Sequence, residues 1–325
     1  MSEYIVQNLN IQHISQMADL YFLSCKKQLK PELIKWKYFD NPAGEAILKG
    51  IFLNEELIGS GAMVPEKVNV LSEKKVVYKC TDLMIHPAHQ GKGLGTLITL
   101  SLKDQVQLLN PIFCYTLCSK KATSVFLKNG WLNVGELIYY FKPKILLEIS
   151  NLFYNKINPT IRIYDSINGL FDNYQFRNDS TKISLEKSAD FLKWRMLNPR
   201  FNYKIICHYE NNMINGYLIY SLGKSGFLNI VDMESIYEDK IVFELLLKAL
   251  EIEACKRDYR GIVAITFETN YFDKMLVNNN YIKNPFKIGP MHSQLDFNIF
   301  TQENRLDKSL SLSNWEIYSI NYDDV

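Results

Sequence analysis

One stretch constrains the fold of this chain more than any other: residues 80–95, which read CTDLMIHPAHQGKGLG. Thr81–His86 reads as a strand that stops at Pro87, because proline cannot continue a β-ladder. Gln90–Gly95 then has the pattern Gln-x-x-Gly-x-Gly and opens directly into an amphipathic helix. Backbone amides at a helix start, with no side chain on the glycines to obstruct them, bind phosphate oxygens. The stretch therefore predicts an anion site, and a pyrophosphate is the expected anion.

The spacing of the glycines excludes two common phosphate-binding loops. A dinucleotide fingerprint, Gly-x-Gly-x-x-Gly, that began at Gly91 and Gly93 would need a third glycine where Thr96 stands. A P-loop would need serine or threonine directly after its lysine, but Lys92 is followed by Gly93. The loop therefore belongs to neither class.

The strand, loop and helix together resemble the acyl-CoA pyrophosphate loop of the GNAT superfamily of N-acyltransferases; a glycine-rich structural turn is the alternative. The resemblance implies acetyl-CoA or another short acyl-CoA as cofactor. In that family the strand before the loop parts from its neighbour, and its backbone binds the pantetheine arm and the thioester carbonyl. By this resemblance the cofactor-binding residues are Met84, Ile85, His86, Gln90, Gly91, Lys92, Gly93, Leu94, Gly95, Thr96 and Ser119.

Ser119 belongs to a second part of the family pattern, Asn-x-x-Ala-x-x-Leu-Tyr-x-Lys-x-Gly-Phe, which residues 119–131 resemble. The chain departs from this pattern at two positions. Ser119 replaces an asparagine that often contacts the CoA arm, and Phe126 replaces a tyrosine that often protonates the leaving thiolate. Because a free thiol has a pKa of about 8.5, we expect the thiolate to leave unassisted here, with Tyr115 as a weak substitute acid.

Two residues of the strand are candidates for proton transfer. Asp82 is the predicted general base, because alternation places it on one face with Cys80, Met84 and His86, beside the expected thioester. His86 could relay a proton on the same face. The alternative is that Asp82 only makes a structural hydrogen bond.

The acceptor pocket is predicted between the second helix and the strand that follows it. In the family that region commonly lines the acceptor site, and here it carries Trp36, Tyr38 and Asn41, which suit a sugar or a nucleotide base. The same motif recurs as Trp194 and Asn198 in the second half. A role in packing and turn formation is therefore the alternative, and we favour it for Trp36.

The second half of the chain is predicted to repeat the first, with chance similarity of two α/β domains as the alternative. The spacing that separates Asp82 from Asp232 also takes Thr116 to Thr266. We predict an α/β fold with a mixed sheet, built as two tandem GNAT-like domains: residues 1–142 as the acyl-CoA-binding catalytic domain and residues 143–325 as a degenerate copy. The segment matching the glycine loop, residues 235–242, has no glycine, so the second domain is expected to complete the acceptor pocket or to be structural.

The composition of the chain argues against several classes of binding partner. A chain of 325 residues suits two domains, and a net charge of +2 argues against a nucleic-acid surface. The cysteines and histidines lack metal-ligand spacing, so no metal is predicted. The sequence shows no signal peptide and no membrane span, which predicts a cytoplasmic protein without membrane insertion; the oligomeric state is left open.

The double architecture and the Trp-Lys-Tyr-x-x-Asn-Pro-Ala-Gly segment at 36–44 resemble bacterial tandem-GNAT N-acyltransferases of surface-polysaccharide synthesis. That resemblance implies transfer of an acetyl or short hydroxyacyl group to the amine of a nucleotide-linked amino sugar, by direct attack in a ternary complex. Two alternatives stay open: a non-catalytic acyl-CoA-binding regulatory module, and a peptidoglycan-type aminoacyl transferase.

Overall fold

The computed structural model describes residues 4–70, 73–153, 155–179, 181–223, 226–268, 271–283, 295–301, 314–316 and 320. Contacts within the chain divide it into two compact units. The first unit comprises Met1–Gly135, Leu197–Arg200 and Leu295–Ser311. The second comprises Glu136–Met196, Phe201–Gln294 and Leu312–Val325.

The first half of the chain has one strand, two helices and three strands, followed by a helix, a strand, a helix and a strand. Its strands and helices are β1 Ile5–Asn8, α1 Ile14–Cys25, α2 Pro31–Tyr38, β2 Ile47–Leu53, β3 Glu56–Val70, β4 Glu73–Ile85, α3 Leu94–Gln107, β5 Cys114–Ser119, α4 Lys120–Lys128 and β6 Leu132–Pro143. Pro31 is the first residue of α2, where its missing N–H costs no helical hydrogen bond.

After an additional helix and two short strands, the second half repeats the order of the first from α2 onward. Its elements are α5 Lys144–Phe153, β7 Ile161–Tyr164, β8 Ile183–Leu185, α6 Ala189–Met196, β9 Tyr203–Glu210, β10 Met213–Leu222, β11 Phe227–Ser235, α7 Lys240–Lys256, β12 Gly261–Thr266, α8 Tyr271–Asn278, β13 Ile282–Lys283, β14 Leu295–Phe300 and β15 Trp315–Glu316. The hairpins match as well. Asn54 and Glu55 turn β2 into β3, Asn211 and Asn212 turn β9 into β10, and all four have positive φ.

The first unit is a mixed sheet with helices on both faces. Its strand order is β1-β2-β3-β4-β5-β14, and β4–β5 is the parallel pair among these neighbours. Helix α3 buries Ile98 and Leu102 against one face, and α1 and α2 bury Leu20 and Ile34 in a separate cluster. A Cβ on Gly61 would lie 2.8 Å from Ile98, so glycine lets α3 approach β3 closely.

The second unit has the same plan. Its strand order is β7-β9-β10-β11-β12-β6, with β11–β12 as the parallel pair. Helix α7 occupies the place of α3 and buries Leu246, Leu247 and Leu250 in the core. Strand β15 pairs with β8 in parallel.

The two halves of the chain exchange their last strands. Residues 138–143 of β6 pair with β12 in the second unit, whereas β14, from the C-terminal end of the chain, pairs with β5 in the first unit. The predicted ranges 1–142 and 143–325 do not include this exchange, because strand pairing between distant segments leaves no local pattern. They stay a proposal about which segment carries the chemistry.

Among the described helices, none combines the length and the apolar character that crossing a membrane requires.

Removing the side chain that anchors β14 tests the exchange. Phe297 is fully buried, and its ring lies 5.9 Å from that of Tyr115 on β5. We expect Phe297→Ala to lower the free energy of unfolding by about 3–5 kcal/mol, since a buried phenylalanine leaves a large cavity. Urea denaturation measures this. Leu132→Ala is the control, because Leu132 is exposed and exposed positions change stability by about 0.5 kcal/mol or less. Equal midpoints for both variants would contradict the exchange.

Candidate active site

Strand β4 leaves its parallel neighbour after two paired residues. Tyr78 pairs with Cys114 and Lys79 with Tyr115, and the register between the described residues of β4 and β5 ends there. The part of β4 that leads to the loop therefore presents an unpaired backbone edge toward β5. Unpaired N–H and C=O groups along such an edge can bind an extended ligand such as a pantetheine arm.

A β-bulge in β4 decides which side chains face which side of the sheet. Thr81 pairs with Ala62 and Met84 with Ser60, so Asp82 and Leu83 together oppose Gly61. Asp82 has φ +52°, the left-handed conformation that few residues other than glycine adopt.

The bulge reverses the alternation of the strand. Cys80 packs in the cluster beneath α3, whereas Met84 packs in the cluster beneath α1 and α2. Asp82 also lies on the α2 side of the sheet, where it contacts Lys37. The prediction that Asp82, Cys80 and Met84 share one face is therefore wrong, because the extra residue inverts the pattern after Thr81.

The glycine loop ends in a helix start that no side chain caps. Gly91 has φ +77° and Gly93 has φ +79°, and a Cβ on either would meet no atom within 4 Å. Gly93 is the N-cap of α3 and provides no side-chain hydrogen bond. The first N–H groups of a helix have no intrahelical partner, and the positive end of the helix dipole lies there. The loop is thus open, uncapped and suited to an anion.

Three further residues make polar contacts in the segment that leads to this helix start. His86 accepts a hydrogen bond at Nδ1 from the Ala88 amide at 3.2 Å, and Gln90 donates to the Ile85 carbonyl at 3.2 Å. Lys92 is exposed and its amine lies 3.4 Å from the Tyr4 hydroxyl. A lysine here can supply charge to a phosphate.

In the second unit a carboxylate caps the start of the corresponding helix, α7. Helix α7 begins after a shorter loop, and Asp239 at its N-cap accepts hydrogen bonds from the amides of Ile241 at 2.7 Å and Val242 at 3.4 Å. A carboxylate on these amides satisfies them and repels a phosphate. The second unit therefore has no free anion site at the start of α7.

Asp82 forms an ion pair within the first unit. Its Oδ2 accepts a hydrogen bond from the Lys37 amine at 2.6 Å and another from the Tyr38 hydroxyl. The same amine donates to the Thr81 hydroxyl at 3.2 Å. The side chain of Asp82 keeps 28% of its surface exposed, while Lys37 keeps 11%.

The corresponding aspartate in the second unit, Asp232, is fully buried. Asp232 accepts from Lys187 at 2.9 Å through Oδ1 and from the Tyr217 hydroxyl at 2.7 Å through Oδ2, and its side chain has no exposed surface. Both carboxylate oxygens of Asp232 are thus engaged inside the core. The two aspartates share a position in the repeat but not their access to a ligand.

The predicted acceptor residues mostly make structural contacts. Trp36 is buried, and Asn41 accepts from the Ala43 amide at 2.9 Å and donates to the Pro65 carbonyl at 3.0 Å. Asn198 makes the matching turn in the other half, where it accepts from the Arg200 amide at 3.0 Å. Of the three predicted residues, Tyr38 alone contacts a candidate catalytic group. A sugar-stacking role for Trp36 and Asn41 finds no support in these contacts.

The residues of the second family pattern differ in exposure. Ser119 is exposed at the N-cap of α4, without a side-chain cap. Phe126 is buried, and its ring lies 5.0 Å from that of Trp131 in an edge-to-face contact. Tyr115 is also buried, and its hydroxyl donates to Glu66, which pairs with Lys79 at 2.9 Å. Neither Phe126 nor Tyr115 is placed to protonate a leaving group.

Cys80 on β4 and Cys114 on β5 are poorly suited to act as nucleophiles. Burial raises the pKa of the Cys114 thiol to about 12 and raises that of Cys80 further. Thiols that stay protonated are poor nucleophiles. Among the described residues, no group of three or more histidine, cysteine or acidic side chains could hold a metal ion.

Lys37 is the residue that sequence reasoning missed. It stands in the Trp-Lys-Tyr motif between two predicted acceptor residues, but its contact with Asp82 joins positions 45 residues apart. The position beside Trp36 on a short helix was the one available signal.

Sequence and structure comparisons agree with this geometry. Residues 11–128 match the model of the acetyltransferase (GNAT) family. No curated protein sequence matches the chain. The match over residues 11–128 confirms, at the level of the family, the predictions of an acyltransferase and of an acyl-CoA cofactor.

Solved structures share the fold at low identity. A probable N-acyltransferase from Enterococcus faecalis V583 has a TM-score of 0.66 and 13% identity, over 93% of this chain and 73% of that one. A tandem GNAT protein from the clavulanic acid biosynthesis pathway has a TM-score of 0.62 and 10% identity, over 92% and 98%. The N-myristoyltransferase of Saccharomyces cerevisiae, solved with bound myristoyl-CoA, has a TM-score of 0.60 and 10% identity, over 92% and 83%. The predicted α/β fold of tandem GNAT-like domains is confirmed.

The open helix start predicts that Gly93 is needed for acyl-CoA binding. Alanine at a positive φ is strained by roughly 1–2 kcal/mol, and a change of backbone conformation that relieves this strain would move the loop amides. We therefore expect Gly93→Ala to weaken acetyl-CoA binding about 10-fold or more. Isothermal titration with acetyl-CoA measures the affinity.

Gly130 supplies the control for this variant, because its φ of +80° imposes the same strain on alanine outside the loop. Gly130→Ala should bind acetyl-CoA like the unsubstituted protein. An equal loss of acetyl-CoA affinity in both variants would show that strain in the fold causes the effect, and not a change at the amides of the glycine loop.

Proposed function

We propose that this protein transfers the acyl group of acetyl-CoA or a short hydroxyacyl-CoA to the amine of a nucleotide-linked amino sugar, by direct attack in a ternary complex. One observation supports this most: an uncapped, glycine-lined helix start adjoins a strand with an unpaired edge that carries a partly exposed aspartate. Such a transfer needs a binding site for the pyrophosphate, an extended site for the pantetheine arm and a group that accepts a proton.

The cofactor would lie along β4 and the glycine loop. The pyrophosphate would bind the backbone amides of residues 91–96, with the Lys92 amine as counter-charge and Gln90 and Ser119 nearby. The pantetheine arm would lie along the β5-facing edge of β4 near Met84, Ile85 and His86, where the Ile85 carbonyl already accepts from Gln90. Bound acyl-CoA supplies an activated thioester carbonyl.

Asp82 is the proposed proton acceptor. An amine attacks a carbonyl only after it has lost a proton. The hydrogen bonds that the Asp82 carboxylate accepts in the described chain are both at Oδ2, which leaves Oδ1 to take this proton. His86 cannot take it at Nδ1, because that nitrogen already accepts from Ala88 and therefore leaves only Nε2–H to donate. In the proposed division the Asp82 carboxylate takes the proton, and the His86 imidazole can only donate a hydrogen bond through Nε2–H.

The thiolate is proposed to leave without a general acid. Phe126, at the position of the family's tyrosine, has no acidic proton and is buried against Trp131. A thiol of ordinary pKa, about 8.5, is a good leaving group near neutral pH. The buried cysteines favour direct attack over an acyl-enzyme.

The nucleotide-linked amino sugar and a role in polysaccharide biosynthesis come from the resemblance of residues 36–44 to acyltransferases of that kind. The described cysteines are free, which agrees with a reaction in the cytoplasm.

A thiol-release assay with a panel of amines tests the proposal. The panel should include nucleotide-linked amino sugars, the free amino sugars and lysine peptides, each with acetyl-CoA and a hydroxyacyl-CoA. We expect the highest rate with a nucleotide-linked amino sugar. Acyl-CoA binding without release above hydrolysis would favour the regulatory module, and transfer from aminoacyl-tRNA in place of acyl-CoA would favour the peptidoglycan-type alternative.

Asp82→Asn separates the chemistry from cofactor binding. Asparagine keeps the shape of the side chain but cannot accept the proton, so kcat/KM for the amine should fall by roughly 10²–10⁴-fold, with the acetyl-CoA affinity unchanged. Asp104→Asn, an exposed carboxylate on α3, is the matched control. Equal losses of turnover and affinity in Asp82→Asn would assign Asp82 a structural role.

A further inference from the structure

We infer that Lys37 and Tyr38 are positioning residues, which bind one oxygen of the Asp82 carboxylate and so orient the other oxygen toward the acceptor amine. This inference rests on the proposed function, since it assigns the way in which that function's proton acceptor is held. It does not depend on which amine is acylated.

Both donors bind the same carboxylate oxygen. The Lys37 amine lies 2.6 Å from Oδ2, the Tyr38 hydroxyl donates to that atom too, and Oδ1 receives neither. Among the described residues, no side-chain hydrogen bond or ion pair reaches Oδ1. A hydrogen-bonded amine at Oδ1 would therefore not have to displace either donor.

The donors are themselves held in place by burial. Tyr38 and Lys37 form the last turn of α2 and both are buried, at 2% and 9% exposure. Thr81, the neighbour of Asp82, also accepts from Lys37 at 3.2 Å. Long side chains without such packing sample many rotamers, so burial makes this pair a rigid support.

The backbone of Asp82 explains why such support is needed. Its positive φ of +52° lies in the bulge, where the regular pleat no longer dictates the direction of the side chain. The ladder on the β5 side has also ended before this residue. Lys37 and Tyr38 therefore supply the restraint that the sheet does not.

The second unit shows the same chemistry without an open oxygen. Asp232 also binds one lysine and one tyrosine, yet these two occupy different oxygens and leave none free. Its side chain is fully buried, whereas that of Asp82 is partly exposed. A lysine and a tyrosine on an aspartate are thus structural where both oxygens are used, and positioning where one is left open.

Three variants on α2 test the inference. Lys37→Met removes the charge at similar length, Lys37→Arg keeps a donor cation, and Tyr38→Phe removes the hydroxyl alone. Because a misplacement of about 1 Å can cost ~100-fold in rate, we expect Lys37→Met to lower kcat for the amine by roughly 10–100-fold. Tyr38→Phe should lower it less, and Lys37→Arg should recover most of the loss. The acetyl-CoA affinity should stay unchanged in all three.

Lys35→Met is the matched control, because Lys35 lies on the same helix but pairs with Asp40 at the surface. It should retain full turnover. Full turnover in Lys37→Met and Tyr38→Phe would overturn the inference while the proposed function stands. The inference would also be overturned if Lys37→Arg did not restore activity and Tyr38→Phe were fully active.

A crystal structure of Lys37→Met with acetyl-CoA gives a readout that does not require turnover. We expect the Asp82 carboxylate to rotate away from its position in the unsubstituted protein. If the unsubstituted protein acylates no amine, the proposed function fails and the inference fails with it. If the unsubstituted protein is active, an Asp82 carboxylate that keeps its position in Lys37→Met overturns the inference alone.

Discussion

The arrangement of the candidate site depends on a single extra residue in β4. The bulge at Asp82 and Leu83 inverts the strand's alternation, so that Cys80 packs beneath α3 while Met84 and Asp82 lie on the α2 side. Without it, the carboxylate would point into the apolar cluster beneath α3, where burial would be costly. The bulge thus allows one strand to place an apolar surface under the loop helix and a charged group toward α2.

In the second unit the charged groups around the matching aspartate pair with one another. A small pocket there is lined by Arg177, Lys187, Glu234 and Glu316, among others. Lys187 pairs with Glu234 at 3.0 Å and Arg177 with Glu316 at 2.8 Å, so these charges neutralise one another. Desolvation raises the pKa of Glu234, and the charge of Lys187 reduces this rise without cancelling it. The second unit therefore uses this position for internal ion pairs, and Asp239 caps the helix that would otherwise bind an anion.

Local features of the site were predictable from the sequence, and distant contacts were not. Glycine spacing predicts the loop, because positive φ at Gly91 and Gly93 is a property of single residues. The face on which Asp82 lies depends on its register with Gly61, which no period in β4 reveals. The exchange of β6 and β14 joins segments far apart in the chain. Trp36 illustrates a further limit, since an aromatic residue in a core has the same sequence signature as one in a binding site.

The two aspartates show why recurrence of a residue in a repeat is weak evidence about its role. Asp232 at the position of Asp82 suggests a structural hydrogen bond for both, and each does bind a lysine and a tyrosine. The donors, however, come from different elements: the last turn of α2 for Asp82, but β10 and the segment before α6 for Asp232. A carboxylate needs partners in either setting, because a buried charge without them is costly. Asp82 differs from Asp232 in the oxygen that its lysine and tyrosine leave open, and the placement of these partners determines this difference.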